Sequence, residues 1–429
     1  MGECDTNERV GAAVLAAGYG ERMRGSAHPK PLTTVAGLTL LERTVRTLRL
    51  GGVAGPIVVV VGHRQGELRE FVADRRLQVE VVENHQYARG NGTSVLAAMP
   101  HLPERFVVAM ADHVHPPESV RHLLGCEGDF VAGVDARPMY ADPDEATRVR
   151  IEDGRVTSFG KGLVPYRALD TGLFVCSRTA LAELAPPDGE DLSWNQFKRM
   201  WLESGREIVA CDISGTPWVD VDSIGDIERA TQVVLSWAGS GKDGFVSRHV
   251  NRNFSKRITR QLLRTGLTAN HVSAGAFLLA AAGAGCFSRG RWLAGAALVQ
   301  LSSVVDGCDG EVARARLEYS PYGAVFDATL DRWADALVVT GMALGAKEAS
   351  AHLAAYPALT GTLLVPYTRA KLEASFGETP EGLTRFGATR DVRLAVLCLG
   401  ALLRRPTATL AAMALASNAE VLRRLLSPR

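Results

Sequence analysis

Four aspartates stand close together in a part of the 429-residue chain that is otherwise rich in Ala, Leu and Val. They are Asp306, Asp309, Asp327 and Asp331. The members of each pair are three or four residues apart, so on helices each pair would share one face. Four neighbouring carboxylates repel one another unless cations neutralise them, and oxygen ligands favour Mg²⁺ or Mn²⁺. The spacing therefore predicts a divalent-metal site, with helix capping by aspartates in aqueous loops as the alternative interpretation.

A glycine-rich loop lies near the N terminus, in the string LAAGYGERMRGSAHPKPL at residues 15–32. Gly18 and Gly20 would free the backbone to wrap a triphosphate with N–H groups. Arg22 and Lys30 would add cationic partners for phosphate oxygens. The loop predicts a nucleotide site, although a Gly-x-Gly string by itself is typical of a tight turn between a strand and a helix.

The elements that must position these residues differ between the two halves of the chain. Residues 1–236 alternate short β-branched runs, such as PIVVVVGH, with amphipathic helical patterns. This alternation predicts an α/β, Rossmann-like domain with a mostly parallel sheet, in which ligands bind at the carboxyl ends of the strands. Residues 237–270 combine a Gly-rich linker with a basic stretch. That stretch predicts an amphipathic helix at an anionic membrane surface, or an ordinary solvated helix.

The remaining residues, 271–429, predict an all-α domain that spans a membrane six times. Charge nearly vanishes in six apolar segments, at residues 272–288, 292–310, 323–346, 349–368, 391–403 and 406–422. Several are shorter than the ~20 residues of a clean span. Lys and Arg concentrate in alternate loops, however, which favours six spans with both ends in the cytoplasm. A soluble helical bundle is the alternative.

Composition argues against several other classes of protein. The formal net charge is +1, which gives no support to a nucleic-acid partner. The seven cysteines are scattered and form no C-x-x-C string, which argues against a disulfide framework and a zinc site. The N terminus, MGECDTNERV, is polar and mixed in charge, so no signal peptide is predicted. We therefore expect a multi-pass protein of the inner cell membrane whose N-terminal domain lies in the cytoplasm.

The spacing D-x2-D-G-x2-A-R-x8-G-x3-D-x3-D around the four aspartates resembles the signature of the CDP-alcohol phosphotransferase family. The resemblance covers about residues 245–425 and implies six membrane helices, a homodimer, and metal-dependent transfer of a substituted phosphoryl group from a CDP-linked donor to a hydroxyl, with loss of CMP. It implies that all four aspartates bind Mg²⁺ or Mn²⁺ and that Asp331 is also the general base toward the acceptor. The implied nucleotide-binding residues are Gly310, Ala313, Arg314 and Gly323.

The N-terminal loop resembles the L-A-A-G-x-G-x-R-M…P-K-P-L signature of sugar-phosphate nucleotidyltransferases, and the resemblance extends over about residues 10–236. It implies attack of an alcohol phosphate on the α-phosphorus of a nucleoside triphosphate. Mg²⁺ would be held by Asp112 and by Asp220 or Asp222, the latter slightly favoured, while Lys30 and Arg22 would act on the triphosphate. The implied nucleotide-binding residues are Leu15, Ala16, Ala17, Gly18, Gly20, Gly90 and Asn91. The implied acceptor-binding residues are Lys161, Asp170 and Thr171.

The fusion of the two domains resembles the bifunctional enzymes that use CTP and inositol 1-phosphate. This resemblance implies that the first domain makes CDP-inositol and that the second transfers its phosphoinositol group to another inositol 1-phosphate, giving di-myo-inositol phosphate phosphate. A phosphorylated acceptor needs cations near the aspartates, and the candidates Arg369 and Arg390 are also ordinary positive-inside residues. Two alternatives stay open. In the first, the acceptor is a lipid and the protein is a phospholipid synthase. In the second, the N-terminal domain binds nucleotide but catalyses no reaction.

Overall fold

The computed structural model describes residues 9–20, 28–184, 191–239, 252–376 and 390–426. The chain divides into two compact units, Met1–Trp237 with Ala315–Leu317 and Ala238–Arg314 with Glu318–Arg429. They are called the N-terminal unit and the C-terminal unit below.

The N-terminal unit is an α/β domain. Its strands are β1 Gly11–Leu15, β2 Thr34–Val35, β3 Leu38–Thr39, β4 Ile57–Val61, β5 Glu80–Glu83, β6 Arg105–Met110, β7 His113–Val114, β8 Phe130–Asp135, β9 Arg148–Glu152, β10 Arg155–Gly160, β11 Ala168–Ser177, β12 Val209–Asp212 and β13 Val219–Asp220. Its helices are α1 Leu40–Leu50, α2 Gln65–Asp74, α3 Asn91–Ala98, α4 Pro117–Leu124, α5 Arg178–Ala182, α6 Trp194–Glu203 and α7 Ile224–Ala238.

The large sheet has nine strands in the order β5-β4-β1-β6-β11-β8-β12-β10-β9. Strands β5, β4, β1 and β6 are parallel, as the alternation of strands and helices predicts. In the other half β12 is parallel to β8, while β11 runs antiparallel to β6 and β8, and β9 and β10 form a hairpin. All strands of this sheet except β10 and β11 therefore run in the same direction, which confirms the expectation of a mostly parallel sheet. The hairpin turn consists of Asp153 and Gly154, with φ of 47° and 75°. Two central residues with positive φ match the twist of paired antiparallel strands. Antiparallel neighbours can be joined by such a short turn, whereas parallel strands need a long crossover connection, usually a helix.

The register of three strands brings the predicted site residues to one edge of the sheet. Leu15 of β1 pairs with Met110 of β6, so the glycine-rich loop and Asp112 leave the sheet at the same edge. Because β11 runs antiparallel to β6, with Leu173 opposite Ala109, it begins where β6 ends. The first residues of β11 therefore reach this edge as well.

Both faces of the sheet are buried, which explains why β4 is an uninterrupted apolar run in the sequence. Successive side chains of a strand point to opposite faces. Val58 and Val60 pack in one core cluster with residues of α3 and α6. Val59 and Val61 pack in the other with residues of α1, α2 and α4. This two-sided core fixes the strand ends that carry the site.

The C-terminal unit is mostly helical, as predicted. Its helices are α8 Arg252–Leu262, α9 Ala269–Ser288, α10 Trp292–Ala315, α11 Pro321–Ala346, α12 Ala349–Phe376, α13 Arg390–Leu402 and α14 Pro406–Leu426. The six predicted apolar segments coincide with α9 to α14. Among the described residues, one helix, Ala269–Ser288, has the length and the hydropathy of a membrane span. The six-span topology therefore stays a prediction.

Glycines set the spacing between α9 and α11. A Cβ added at Gly341 would lie 2.4 Å from the carbonyl oxygen of Ala284, and one added at Gly345 would lie 1.9 Å from that of Phe287. The two glycines are four residues apart and share one face of α11. Backbone approach of this kind is what small residues allow between packed helices. This close contact fixes the position of α11, the helix that carries Asp327, against α9.

Two candidate active sites

A cavity in the N-terminal unit lies beside the loop that follows β1. Its lining includes the predicted residues Leu15, Ala16, Ala17, Gly18, Gly20, Lys30, Asn91 and Asp112. Gly20 has a φ of 61°, a conformation that glycine adopts without strain. Arg22 lies outside the described residues. The structure thus brings the glycine-rich loop, a lysine and a carboxylate together around one space.

The ammonium group of Lys30 lies between two carboxylates. Its Nζ donates hydrogen bonds of 2.6 Å to Oδ2 of Asp112 and of 2.6 Å to Oδ1 of Asp222. Burial lowers the pKa of Lys30, but attraction to Asp112 and Asp222 outweighs burial and raises the pKa overall. Burial opposes ionisation of Asp112 as well, yet Lys30 and His113 hold its pKa well below the usual range. Lys30 and Asp112 are therefore both charged at neutral pH.

Asp222, rather than Asp220, shares this cation with Asp112. Asp220 ends β13, which pairs with β7, and the N–H of Val221 donates to the carbonyl oxygen of Asp112 over 3.0 Å. The N–H of Asp222 donates to Oδ2 of Asp226 in the first turn of α7, over 3.1 Å. The paired strands β7 and β13 and the first turn of α7 together orient the Asp222 carboxylate toward Lys30. This geometry favours Asp222 over Asp220 as the partner of Asp112.

The predicted nucleotide-binding residues Gly90 and Asn91 have different structural roles. Asn91 lines the nucleotide cavity, and its Oδ1 accepts a hydrogen bond of 2.8 Å from the N–H of Trp194. Gly90 does not line the cavity. It has a φ of 111°, and an added Cβ would lie 2.5 Å from the carbonyl oxygen of Leu192. Gly90 therefore allows two chain segments to approach closely and thereby orients Asn91.

A second cavity adjoins the first, and both are lined by Asn91, Met110 and Asp112. Its lining also includes the predicted residues Lys161, Asp170, Asp220 and Asp222. Thr171 is fully buried instead, and its hydroxyl donates to the carbonyl oxygen of Gly133 over 2.8 Å. Asp112 therefore stands where the two cavities meet.

Lys198 of α6 also lines the second cavity, and the sequence patterns did not single it out. Its Nζ contacts Oδ2 of Asp170, and its side chain is 1% exposed. The helix carries a signal that would have found it. Lys198 falls on the buried face of α6 with Trp194, Phe197 and Trp201, and a lysine at a core position is unusual.

Three aromatic rings stack at the second cavity, which His113 and Trp218 line. The ring centroids of His113, His115 and Trp218 lie 5.8, 6.0 and 6.1 Å apart, with nearly parallel planes. Nε2 of His115 lies 2.9 Å from the carbonyl oxygen of Thr171, whereas its Nδ1 has no hydrogen-bond partner among the described residues. Burial, with repulsion from His113, lowers the pKa of His115 to about 3. Burial acts on His113 in the same direction, but Asp112 outweighs it and raises the pKa of His113.

Three of the four predicted aspartates form a compact group in the C-terminal unit. One carboxylate oxygen each from Asp306, Asp309 and Asp327 lies within 4.8 Å of the others. The first two stand on α10 and the third on α11, so helix packing assembles the group. Ser273 of α9 donates a hydrogen bond to Oδ2 of Asp309. The group is a candidate metal centre made only of oxygen ligands.

Asp331 lies outside this group and is paired with Arg390. Nη1 of Arg390 is 2.7 Å from Oδ1 of Asp331 and 2.5 Å from Oδ2 of Asp306. A fifth carboxylate, Asp335, was not predicted. It is 4% exposed and lies 3.4 Å from Nε of Arg390 and from Nη2 of Arg393. Because Asp335 follows Asp331 by four residues on α11, helical spacing would have found it.

A cavity opens beside the aspartate group. Its lining includes the predicted residues Asp309, Gly310, Ala313, Arg314, Gly323 and Asp327, together with Thr268, Asn270 and Ser273. A Cβ added at Gly310 would lie 2.9 Å from a guanidinium nitrogen of Arg314, so the missing side chain makes room for that group. Arg369 does not line this cavity, and its Nε lies 3.1 Å from Oε1 of Glu373.

Comparison with known proteins gives a family match in each half. Residues 12–150 match the MobA-like NTP transferase domain, and residues 266–419 match the CDP-alcohol phosphatidyltransferase family. The chain is 64% identical over 421 residues to the bifunctional IPC transferase and DIPP synthase of Rubrobacter xylanophilus, covering 98% of this chain and 97% of the relative. It is 33% identical over 399 residues to the protein of the same name from Archaeoglobus fulgidus, covering 91% and 78%. The structure of the inositol-1-phosphate CTP transferase from T. maritima is 27% identical, with a TM-score of 0.47 over 53% of this chain and 96% of that chain.

Proposed function

The chain belongs to the family of bifunctional IPC transferases and DIPP synthases, and from that membership we propose that it catalyses two consecutive reactions of an inositol phosphate. In the N-terminal unit, inositol 1-phosphate and CTP give CDP-inositol and pyrophosphate. In the C-terminal unit, the phosphoinositol group of CDP-inositol passes to a second inositol 1-phosphate, giving di-myo-inositol phosphate phosphate and CMP. The chain is thus a nucleotidyltransferase and a CDP-alcohol phosphotransferase.

The observation that carries this proposal is the presence of two separate carboxylate centres, each beside a cavity lined by a nucleotide-binding signature. Asp112 and Asp222 belong to the first, and Asp306, Asp309 and Asp327 to the second. An enzyme that only made a CDP-alcohol would need the first centre alone, and one that used an external donor would need only the second. Two centres in one chain support the consecutive use of one intermediate.

The first reaction joins two anionic reactants in adjoining cavities. CTP binds in the glycine-rich cavity, where backbone N–H groups of the loop contact its phosphates. Inositol 1-phosphate binds in the second cavity with its phosphate at Lys161. A phosphate oxygen of the acceptor attacks the α-phosphorus of CTP, and the bond to pyrophosphate breaks. Lys30 stabilises the negative charge that develops on the phosphoryl oxygens.

Both centres fit divalent cations, Mg²⁺ or Mn²⁺, by the chemistry of their donors. Each offers carboxylate oxygens, the ligands that these hard ions prefer. In the N-terminal unit, Asp112 and Asp222 already share one cation, the ammonium group of Lys30, at 2.6 Å from each. A bound divalent cation would neutralise diphosphate charge and stabilise the leaving group. We propose Asp112 and Asp222 as its ligands in the first site, and Asp306, Asp309 and Asp327 in the second.

The second reaction needs a base and a cation for the acceptor. Asp331 takes the proton of the attacking hydroxyl, whose oxygen bonds to the β-phosphorus of CDP-inositol while the bond to CMP breaks. Arg390 binds the phosphate of the acceptor, and its 2.7 Å contact with Asp331 supports a position beside the base. The cytidine nucleotide binds in the cavity that Gly310, Ala313 and Gly323 line. Arg369, which pairs with Glu373, is the weaker candidate for the acceptor phosphate.

The C-terminal unit lies in the inner membrane as six spans, pairs with a second copy, and carries the N-terminal unit on the cytoplasmic side. Three observations support the proposed location in the membrane. The helices α9 to α14 coincide with the six apolar segments, and the glycine contacts between α9 and α11 suit helix packing in lipid. The basic helix α8 precedes these segments and suits an anionic membrane surface.

Mass spectrometry of reaction products tests the proposed function. Purified full-length protein in lipid vesicles is incubated with CTP, Mg²⁺ and inositol 1-phosphate. We expect CDP-inositol and pyrophosphate first, then di-myo-inositol phosphate phosphate and CMP. Failure to consume either CTP or added CDP-inositol would show that the proposal is wrong.

A parallel incubation with labelled inositol 1-phosphate separates the two kinds of acceptor. After butanol extraction, the proposed reaction leaves the label in the aqueous phase. Label in the organic phase would replace the soluble acceptor with a lipid and make the protein a phospholipid synthase.

A further inference from the structure

Lys198 lies on the buried face of α6, where a charged side chain is unexpected. Its neighbours on that face are Trp194, Phe197 and Trp201. The ammonium group lies 4.0 Å from the ring centroid of Phe159 and 4.8 Å from that of Phe174. Lysine side chains normally keep the charged end in water even when the aliphatic part is buried. The burial of Lys198 therefore calls for a specific partner.

That partner is Asp170, at the start of β11. Nζ of Lys198 contacts Oδ2 of Asp170, while Oδ1 accepts a hydrogen bond of 3.0 Å from the N–H of Gly172. The side chains of Lys198 and Asp170 are 1% and 8% exposed. Burial lowers the pKa of Lys198 more than attraction to Asp170 raises it. A buried ion pair is weak evidence for stability, because apolar side chains of similar volume often replace one without loss. Stability of the folded state alone therefore does not explain a lysine at this position of α6.

Both members of the pair line the second cavity of the N-terminal unit. An ionised carboxylate offers about four lone-pair sites, and Gly172 and Lys198 each use one of them, on different oxygens. The remaining sites suit hydroxyl donors from a molecule in the cavity. Lys161 lines the same cavity but is exposed, so a phosphate held there keeps contact with solvent.

We propose that Lys198 is a positioning residue for acceptor recognition, which holds Asp170 so that its carboxylate accepts hydrogen bonds from adjacent ring hydroxyls of a polyhydroxylated alcohol phosphate. This inference rests on the proposed first reaction and adds the chemistry that selects its acceptor. Lys161 binds the phosphate that all alcohol phosphates share, and the Lys198–Asp170 pair distinguishes their hydroxyl groups. Sites that hydrogen-bond a substrate hydroxyl discriminate strongly against analogues that lack it.

The test compares Lys198→Met, Asp170→Asn and the double variant in full-length protein. Pyrophosphate release is measured with CTP and either inositol 1-phosphate or glycerol 3-phosphate. We expect each variant to raise KM for inositol 1-phosphate by about tenfold or more, as the loss of charge-assisted hydrogen bonds implies. KM for CTP should stay within about twofold, because the pair does not line the nucleotide cavity. The preference for inositol 1-phosphate over glycerol 3-phosphate should fall by a similar factor.

The double variant separates recognition from folding. It removes both charges together and leaves no unpaired charge in the core. A merely structural pair predicts that the double variant returns to the parent KM, and that result would overturn the inference. Recognition predicts that its KM stays high at an unchanged unfolding midpoint. Arg199→Met, which removes an exposed cation next to Lys198 on the same helix, is the matched control and should keep the parent KM.

The same assay distinguishes this inference from the proposed function. A parent protein that releases no pyrophosphate from CTP and inositol 1-phosphate would refute both. An active parent, with both single variants unchanged in KM and in acceptor preference, would refute the role of Lys198 alone.

Discussion

Nζ of Lys30 lies 2.6 Å from Oδ2 of Asp112, although the two residues are 82 positions apart in the sequence. The first follows the glycine-rich loop after β1, and the second follows β6. The parallel pairing of β1 with β6 brings both segments to one edge of the sheet. The contact places a cation and a carboxylate where the two cavities of the N-terminal unit meet, which is where the cytidylyl group of CTP would pass to the acceptor.

Replacing Lys30 tests whether this centre carries the first reaction. Lys30→Ala removes the ammonium group that stabilises the developing charge, so we expect pyrophosphate release from CTP to fall by at least about 10²-fold. Added CDP-inositol should still be converted to product, because the second centre is untouched. Pyrophosphate is measured by a coupled assay and the product by mass spectrometry. Pyrophosphate release at the parent rate would refute the proposed triphosphate site.

The reciprocal variant is Asp327→Asn. It removes one carboxylate from the group of three whose oxygens lie within 4.8 Å, so we expect transfer from CDP-inositol to be lost and CDP-inositol to accumulate from CTP. Nuclear magnetic resonance of ³¹P follows both products in one sample. Loss of both reactions in a folded variant would contradict two independent centres.

The stacked histidines predict how stability depends on pH. The pKa of His115 is about 3 in the folded chain, against about 6.5 unfolded. Below about pH 6.5 the unfolded state binds a proton that the folded state does not, so this histidine lowers the free energy of unfolding by up to about 1.4 kcal/mol per pH unit, until the pH nears 3. His113 acts with the opposite sign, because its raised pKa adds stability at low pH that is lost as the pH rises through that value.

His115→Gln should therefore flatten the loss of stability between about pH 6.5 and 4.5. Urea unfolding followed by tryptophan fluorescence measures this, since Trp218 stacks on His115 with a centroid distance of 5.8 Å. His122→Gln is the control, because that side chain is exposed. Equal pH dependence in the parent and in His115→Gln would show that burial of His115 does not govern acid stability.

The sequence predicted the residues of the two centres more completely than their partners. Motif residues such as Gly18, Asp112 and Asp309 stand at the ends of strands or on predicted helices, so their spacing alone indicated their place. The structure brings most of them together in the expected groups. The sheet is mostly parallel as predicted, but the reversed strand β11 was not foreseen, because its pairing with β6 and β8 is a long-range choice that strand patterns do not encode.

The residues that sequence reasoning missed act through contacts between distant segments. Lys198 is next to Asp170 only because α6 packs on the end of β11, and its signal was a charged residue on an apolar helical face. Asp335 contacts Arg390 and Arg393 of α13, and its signal was a second step of four residues along α11, after the step from Asp327 to Asp331. Asp331 was grouped with the metal ligands from its spacing, yet the structure pairs it with Arg390. Spacing places a residue on a face, but it does not decide which neighbour neutralises the charge.

The glycine contact between α9 and α11 gives a prediction about stability that does not depend on the chemistry. A Cβ at Gly345 would lie 1.9 Å from the carbonyl oxygen of Phe287, which is backbone and cannot rotate away. Gly345→Ala should therefore force α9 and α11 apart, with a loss of about 1–3 kcal/mol or more. Gly275→Ala on α9 is the matched control, because among the described residues no atom beyond the adjacent backbone of α9 lies within 4 Å of its added Cβ, and alanine favours a helix over glycine by about 1 kcal/mol. Thermal unfolding of the full chain in detergent should show a lower midpoint for the first variant and an equal or higher midpoint for the second. Equal midpoints for both variants would show that the two helices do not pack backbone to backbone.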